Sequence, residues 1–149
     1  TRFNGGGWLH DDLKTFLSGK RYLDFAPQGH RLKDGEPMGR WTKPSCVLMS
    51  EGNYSDAFIF PYVYKQAGIG KTIGKAVPGT GTAVWWEPQI DPTLVFGIPM
   101  VATIGNENRA TENLQLEPDI EVDLRYEDFL NGKDTQLEKA VEELMKEVR

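Results

Sequence analysis

Cysteine and histidine are scarce in this chain of 149 residues: the sequence contains one cysteine, Cys46, and two histidines, His10 and His30. A single cysteine excludes an internal disulfide framework and a cysteine-based metal site. No uninterrupted apolar segment reaches the roughly 18 residues of a membrane-spanning helix, so we expect no membrane insertion. The net charge of −5 argues against nucleic acid as a partner.

The remaining composition is that of an ordinary folded domain. Hydrophobic residues make up 39% and charged residues 26% of the chain, values typical of globular proteins. The length suffices for one domain or most of one. Because the chain has no initiator methionine and opens directly on a glycine-rich loop, we interpret it as a piece of a longer protein.

Apolar spacing predicts a mixed order of helices and strands, hence an α/β or α+β class. Helices are expected around Leu9 to Leu17, from about Ser55 to Gln66, and after a capping box formed by Thr135 and Glu138. Strands are expected at 46–49, 71–76, 82–86, 94–96, 100–104 and 120–122, with those between 82 and 104 continuing one sheet and broken by Gly97 and Pro99.

The apolar spacing also predicts which side chains two of these helices bury. The second helix should turn Ile59, Tyr62, Val63 and Gln66 or Ala67 inward, and Pro61 should kink it or shorten its first turns. The last helix should carry one apolar stripe, made of Leu137, Ala140, Val141, Leu144, Met145 and Val148.

The segment around Ser55 carries the clearest chemical signal. The apolar run 46–49 predicts a buried strand, and a helical pattern begins at Ser55 after a small polar turn. A serine at a strand-to-helix corner exposes its hydroxyl beside the unpaired N–H groups of the first helical turn, as in sites that display a nucleophile beside an oxyanion hole. The alternative is that Asn53 or Ser55 simply caps the helix.

The glycine loop 5–7 offers a second backbone donor for the same chemistry. The first donor would be the N–H of Asp56, which follows Ser55, and a glycine N–H could approach the same point because glycine has no side chain. A phosphate-binding loop is an alternative, although the spacing matches neither the Walker pattern nor G-x-G-x-x-G. A flexible turn is the other alternative.

A general base is harder to find. His10 follows the glycine loop on a polar helix face, where we expect it to be exposed to solvent, and nothing orients His30 in its loop-like region. Lys71 and Lys75 flank a predicted strand without distinguishing context. The residues alone therefore supply no convincing base.

Other side chains have two interpretations each. Glu112, in a polar loop after a strand, could orient a base or could be an ordinary surface carboxylate. Trp85 or Trp86 could line a substrate groove, because one of two adjacent strand residues faces outward, or could fill the core. Asp24 and Asp34 could favour a basic substrate side chain, or could be solvated loop carboxylates.

Several motifs occur together in a fixed order. They are Arg2-Phe3-Asn4-Gly5-Gly6-Gly7, Glu51-Gly52-Asn53-Tyr54-Ser55-Asp56, Phe60-Pro61, the segment 68–74, Glu112-Asn113, the segment 117–122 and the segment 134–144. In combination, over virtually the whole chain, they resemble the tricorn-like branch of the carboxy-terminal-processing serine peptidase family.

The resemblance implies a fold and a set of roles. The fold would be the Clp-protease/crotonase-like α/β spiral of ββα units, here a partial domain without its N-terminal strands. Ser55 would be the nucleophile, the Asp56 N–H one oxyanion donor, and Gly6 the other, with Gly7 as the next choice. Glu112 matches the glutamate that acts through a second serine beside the catalytic histidine. No metal or organic cofactor is implied.

Thr80 marks a departure from one branch of the family. The processing-peptidase branch places a catalytic lysine in a Gly-Lys-Gly turn, whereas the matching turn here is Gly79-Thr80-Gly81. The tricorn-like branch takes its histidine and partner serine from a segment N-terminal to the glycine loop. We therefore expect the base to come from outside this chain.

These observations predict that residues 1–149 are the C-terminal portion of a tricorn-like serine endopeptidase catalytic domain. The complete enzyme would cleave oligopeptides or unfolded polypeptides through an acyl-enzyme on Ser55, and the fragment alone would have little activity. Expected partners are a peptide substrate lying near Trp85, the remainder of the catalytic domain, and a second copy in a homo-oligomer. The alternative is a non-catalytic peptide-binding or assembly domain that retains the fold.

Overall fold

A computed structural model describes residues 1–29 and 35–148, so His30 and Asp34 lie outside the described residues. Its helices and strands are α1 (His10–Leu17), β1 (Cys46–Met49), α2 (Asp56–Gln66), β2 (Lys71–Gly74), β3 (Ala83–Pro88), β4 (Val95–Val101), β5 (Ile120–Glu121), α3 (Tyr126–Leu130) and α4 (Thr135–Glu147). A short 3-10 turn lies at Pro27–Gly29. Helices and strands alternate in a mixed α/β order, as predicted. Helix α3 was not predicted. Among the described residues, no helix combines the length and apolarity that crossing a membrane requires.

A small parallel sheet forms the centre of the fold. Its strand order is β1-β2-β5, with Cys46 opposite Lys71 and Ile73 opposite Ile120. Parallel neighbours need a crossover connection, and here α2 supplies it between β1 and β2. The corner at Ser55 therefore lies between the carboxyl end of β1 and the first turn of α2.

The buried face of α2 differs from the predicted one. The buried apolar residues of α2 are Ala57, Phe58, Phe60, Pro61 and Tyr64. Phe58 packs in a cluster with Met49, Val77 and Leu116, and Phe60 and Tyr64 pack in a second cluster with Val47. The predicted inner face was correct only in part: Ile59 and Tyr62 are half-buried and pack against the first cluster, Val63 is half-buried, and Gln66 and Ala67 are exposed. The segment 57–63 is apolar throughout, so its pattern does not single out one face of the helix.

Two groups near the start of β1 are held in neutral form by burial. The Tyr64 hydroxyl is 2.8 Å from Ser45 Oγ, and burial raises the pKa of Tyr64 to about 12. Burial also raises the pKa of the half-buried Cys46 thiol. Since the thiolate is the reactive form, we expect Cys46 to be an inert structural thiol.

Asn53 supports the turn that precedes Ser55. Pro61 has no N–H to offer the Ala57 carbonyl one turn earlier, and the Asn53 side chain replaces that donor, with Nδ2 2.9 Å from Ala57 O. Asn53 Nδ2 also donates to Thr1 Oγ1 at 3.0 Å. Its Oδ1 accepts from Ser50 N at 3.2 Å and Ser50 Oγ at 3.1 Å. As a result α2 continues past Pro61 to Gln66, and the proline does not interrupt it.

Asn53→Ala is expected to lower the free energy of unfolding by about 2–4 kcal/mol, because it leaves several buried polar groups without partners. Asn53 is 1% exposed, whereas Asn106, whose amide donates to Gln66, is exposed. The matched control Asn106→Ala should therefore cost less than about 0.5 kcal/mol. Urea unfolding of both variants measures the difference, and equal losses would contradict the role given to Asn53.

Strands β3 and β4 form a separate antiparallel ribbon. Ala83 lies opposite Val101 and Pro88 opposite Val95, and β4 runs unbroken through Gly97 and Pro99. The prediction that these strands continue the central sheet was wrong. Because a ribbon of two strands leaves both faces open, Trp85 and Trp86 are each 61% exposed, and neither fills the core.

The residue that caps the last helix is one position earlier in the sequence than predicted. Asp134, and not Thr135, caps α4: its Oδ1 accepts from Leu137 N at 2.9 Å. The Thr135 hydroxyl instead donates to Asp123 O at 2.6 Å. The helix buries Gln136, Ala140 and Glu143, while four members of the predicted apolar stripe remain at least half exposed, namely Leu137, Val141, Met145 and Val148.

Glu143 is buried among three lysines. Its carboxylate lies 2.6 Å from Lys71 Nζ, 2.6 Å from Lys146 Nζ and 3.2 Å from Lys139 Nζ. Hydrogen bonds from Lys146, Lys71 and Lys139 lower the pKa of Glu143 to about 2. The cluster ties α4 to β2.

This cluster predicts a pH dependence of stability. A carboxyl whose pKa is depressed in the folded state stabilises the fold above its unfolded pKa of about 4.3, and that contribution is lost as the pH falls towards 2. Glu143→Gln should therefore lower stability at pH 7 and weaken its dependence on pH between about 4.3 and 2. Urea unfolding at several pH values measures this, with Glu138→Gln, outside the cluster on the same helix, as the control. An unchanged pH dependence in Glu143→Gln would contradict the prediction.

Candidate active site

Ser55 occupies a strained backbone conformation. Its φ of 55° and ψ of −122° lie in a region that residues with a side chain rarely adopt, and such strain costs about 1–3 kcal/mol and is concentrated at functional sites. Ser55 Oγ has no hydrogen bond within the described residues, and neither Ser55 nor Asn53 caps α2 with its side chain. The capping interpretation is therefore wrong, and the corner instead leaves the hydroxyl free.

The residue after Ser55 presents a free backbone donor. The Asp56 N–H has no hydrogen-bond partner among the described residues, whereas the N–H groups of Phe58 and Ile59 both donate to Ser55 O, at 2.8 and 3.1 Å. Asp56 is the first residue of α2, where the helix dipole favours negative charge. An oxyanion that forms at Ser55 could accept this N–H.

The glycine loop lies against the corner at Gly6. A Cβ on Gly6 would be 2.7 Å from Ser55 Cβ, 3.0 Å from Tyr54 O and 3.1 Å from Asp56 N, and the φ of Gly6 is +109°. The close approach that the sequence suggested is therefore present, and it requires glycine.

Gly7 is one of two glycines in the loop whose backbone N–H has no partner among the described residues, the other being Gly5. The Gly6 N–H donates to Asn4 Oδ1 at 2.8 Å, whereas the Gly7 N–H has no partner within residues 1–29 and 35–148. The sequence had favoured Gly6 as the donor. The short side chain of Asn4, directly before the glycines, was the signal for this local hydrogen bond.

Contacts from distant segments hold the residues that precede the glycine loop. Arg2 forms a bidentate ion pair with Asp134, with N···O distances of 2.9 and 2.6 Å. Hydrogen bonding to Arg2 lowers the pKa of Asp134. The Phe3 N–H donates to Ser50 Oγ at 3.2 Å. These contacts join the loop to the N-terminus of α4 and to the end of β1.

His10 is not exposed as predicted; it is half-buried against Asp56. His10 Nδ1 lies 2.5 Å from Asp56 Oδ1, and the other carboxylate oxygen accepts the Leu9 N–H at 2.8 Å. The prediction failed because it considered only the polar face of α1, whereas the partner belongs to α2. In this arrangement the Nδ1 of His10 is occupied by Asp56.

Thr80 is hydrogen-bonded to Ser55, and Glu112 is linked to Ser55 through the segment 80–82. Ser55 N donates to Thr80 Oγ1 at 3.0 Å, and Thr82 N donates to Glu112 Oε2 at 2.9 Å. The turn Gly79-Thr80-Gly81 thus lies beside Ser55, with a threonine hydroxyl at the position where the resemblance implies a lysine in the processing-peptidase branch. Glu112 itself is exposed and linked to Ser55 through the segment 80–82.

The lysines considered as bases are occupied elsewhere. Lys71 pairs with Glu143, and Lys75 pairs with Glu121 and Asp123, which raises the pKa of Lys75. In the part of the chain that the structure describes, no lysine or histidine side chain forms a hydrogen bond with Ser55. The same residues contain no cluster of three or more His, Cys, Asp or Glu that could hold a metal ion.

The other two candidates that the structure describes, Trp85 and Asp24, have contacts with neighbouring residues in the sequence. The Trp85 indole N–H donates to Glu87 Oε2 at 2.9 Å, and within the described residues no hydrogen bond or ring contact joins Trp85 to Ser55. Asp24 forms an ion pair with Arg21. The structure therefore brings together Ser55, Asp56 and the glycine loop, whereas the substrate-binding role suggested for Trp85 stays a prediction.

A half-open apolar cavity of about 250 Å³ borders α2. Its walls come from α2 and from the segment 103–111: Phe58, Ile59, Tyr62, Val63, Thr103, Ile104 and Thr111. Ile59 lies one helical turn after Ser55, and Thr111 precedes Glu112. Three residues of the predicted inner face of α2, Ile59, Tyr62 and Val63, line this cavity and are half-buried.

Comparison with known proteins identifies the family. Residues 1–122 match the family described as Peptidase family S41. The chain belongs to peptidase family S41. It is 28% identical to the tricorn protease of Thermoplasma acidophilum over 149 residues and 28% identical to the tricorn protease homolog of Saccharolobus solfataricus over 153 residues, in both cases across 99% of this chain.

The crystal structure of the tricorn protease shares the fold of this S41 chain. The TM-score is 0.82 at 27% sequence identity, over 99% of this chain and 14% of that one. The mixed α/β fold class and the resemblance to the tricorn-like branch are thereby confirmed. The chain spans 14% of the length of the two curated relatives.

Proposed function

We propose that this chain carries the nucleophile and the oxyanion site of a serine endopeptidase that cleaves oligopeptides or unfolded polypeptides. Membership in peptidase family S41 supports peptidase activity, and the finer assignment depends on the corner at Ser55. The observation that carries it is the juxtaposition of a strained Ser55, whose Oγ has no hydrogen bond among the described residues, with the free Asp56 N–H and with Gly6.

The proposed reaction proceeds through an acyl-enzyme. Ser55 Oγ attacks the carbonyl carbon of the scissile bond as its proton passes to a histidine imidazole. The Asp56 N–H and the Gly7 N–H stabilise the oxyanion, and the peptide amine leaves with the proton from the imidazolium. Water then hydrolyses the Ser55 ester by the same proton route, which regenerates the hydroxyl.

The base is proposed to be a histidine from a segment that precedes Thr1 in the full-length protein. Two observations support this: among the described residues no histidine side chain is hydrogen-bonded to Ser55, and Lys71 and Lys75 pair with carboxylates. Glu112 is proposed to orient that histidine through a serine relay, as the family resemblance implies. Glu112 is exposed, so it remains accessible to such a segment.

We also propose where the substrate and further protein bind. The apolar cavity beside Ile59 suits an apolar substrate side chain, because ligand sites are concave and mostly apolar. The exposed aromatic surface of the ribbon β3–β4, including Trp85, supports contact with further protein, either the remainder of the catalytic domain or a second copy. No cofactor is needed for the proposed reaction.

Labelling with a fluorophosphonate probe tests the proposed function. The full-length protein is expected to form a covalent adduct on Ser55, identified by mass spectrometry, and the Ser55→Ala variant should form none. The chain produced alone should react slowly, because it lacks the proposed base. Peptide binding without labelling would instead support the alternative, a peptide-binding or assembly domain that retains the fold.

A further inference from the structure

The glycine loop is tied at both ends to the residues that flank Ser55. Before the glycines, Asn4 O accepts the Tyr54 N–H at 3.0 Å. After them, the Leu9 N–H donates to Asp56 Oδ2 at 2.8 Å. We call residues 4–9 the strap. Its position over Ser55 is held at one end by a main-chain hydrogen bond and at the other end by a hydrogen bond to a side chain.

The side-chain contact depends on a buried carboxylate. Asp56 is 6% exposed, and burying an ionised carboxylate is costly unless it is paired and hydrogen-bonded. Leu9 N and His10 Nδ1 supply those bonds, at 2.8 and 2.5 Å. An ionised carboxylate only accepts hydrogen bonds, so a contact with the ionised form of Asp56 requires Nδ1 of His10 to be the donor.

His10 is held in place in turn by a ring contact. The rings of Trp8 and His10 meet edge to face with centroids 5.4 Å apart. Without the imidazole, the Asp56 carboxylate would lack one of its two partners and would gain solvation by rotating outward. That rotation would release the Leu9 N–H and with it the second end of the strap.

We propose that His10 is a positioning residue that holds the glycine loop over Ser55 by orienting the Asp56 carboxylate. This inference rests on the proposed function, since it concerns the oxyanion site. Asp56 then acts twice: its backbone N–H faces the reacting atoms, and its side chain fixes the loop that carries the second donor. His10 itself touches neither substrate nor Ser55.

Kinetics of two His10 variants in the full-length protein test the inference. His10→Leu removes the Nδ1 donor, and we expect kcat to fall about 10- to 100-fold, since small misplacement of oxyanion donors has effects of that size. KM should change less than about threefold, because the donors act mainly in the transition state. His10→Asn offers an N–H at a similar position, and it should restore kcat to near the unmodified value. Asp12→Asn, in the same helical turn, is the matched control and should leave both constants unchanged.

A double-mutant cycle asks whether His10 acts through Asp56. If it does, the variant carrying both His10→Leu and Asp56→Ala should be no slower than Asp56→Ala alone. Additive losses would overturn the proposal. It would also be overturned by an unchanged kcat in His10→Leu, or by His10→Asn being as slow as His10→Leu at equal thermal stability.

Hydrogen–deuterium exchange separates this inference from the proposed function. If Ser55 neither reacts with the fluorophosphonate nor supports turnover, the proposed function fails, but the strap can still be measured. His10→Leu should then speed amide exchange in the peptide that covers residues 4–12, with Leu9 as the principal site. Unchanged exchange in that peptide would overturn the positioning role whatever the activity of Ser55.

Discussion

Replacing Ser55 with alanine is expected to lower kcat for peptide hydrolysis on the order of 10⁶-fold, because no oxygen is left on which the acyl-enzyme can form. The fold should tolerate this change. Alanine keeps the Cβ and the backbone N–H that donates to Thr80, and Ser55 Oγ has no hydrogen bond within the described residues. The loss of stability should therefore stay below about 1 kcal/mol. Steady-state kinetics of the full-length protein on a fluorogenic oligopeptide, with thermal unfolding in parallel, measure both effects.

Ser55→Gly is the matched control for the strained backbone. Glycine adopts the Ser55 conformation without the strain of about 1–3 kcal/mol, but it loses about 0.5–1 kcal/mol through the greater freedom of the unfolded chain. We therefore expect Ser55→Gly to be as inactive as Ser55→Ala and at least as stable. Substantial turnover in either variant would show that Ser55 is not the nucleophile. A marked loss of stability in Ser55→Gly alone would contradict the strain.

The sequence was sufficient to predict the corner at Ser55 because the relevant signals are local. A short apolar run followed by a polar turn and a helical pattern determines β1 and the start of α2. The approach of Gly6 to Ser55 was predictable too, since consecutive glycines next to a proposed oxyanion site suggest close backbone contact. The structure confirms both placements, whereas their catalytic roles remain predictions.

Contacts between distant segments were not predictable in the same way. Local strand propensity indicated β3 and β4, but it does not say which neighbours a strand pairs with, so the ribbon was wrongly assigned to the central sheet. The continuous apolar character of the segment 57–63 likewise hid which face of α2 is buried.

The same reasoning explains the error about His10. Its partner Asp56 lies 46 residues further along the chain, so the helical pattern around His10 contains no trace of the pairing. Asp56 entered the sequence interpretation only through its backbone N–H. A buried acid at the first position of a helix next to a proposed nucleophile is the signal that could have prompted a search for a cationic partner.

Replacing Gly6 with alanine is expected to lower kcat by about 10²- to 10³-fold, the range seen when one oxyanion donor is lost. The added methyl would meet Ser55 Cβ at 2.7 Å and the backbone of Tyr54 and Asp56 at 3.0 and 3.1 Å, and alanine does not readily adopt a φ of +109°. The loop must therefore move away from Ser55 and carry the Gly7 N–H with it. Kinetics and fluorophosphonate labelling rates of the full-length variant measure the effect.

Gly5→Ala is the matched control, one residue earlier in the same loop. A Cβ on Gly5 meets no heavy atom within 4 Å, and Gly5 does not have a positive φ that would exclude alanine. Both substitutions add one methyl group and keep every backbone N–H, so flexibility and composition of the loop change equally. If distance to Ser55 is what matters, Gly5→Ala should keep near-normal kcat while Gly6→Ala does not. Equal losses in the two variants would mean that general stiffening of the loop, and not its contact with Ser55, controls the rate.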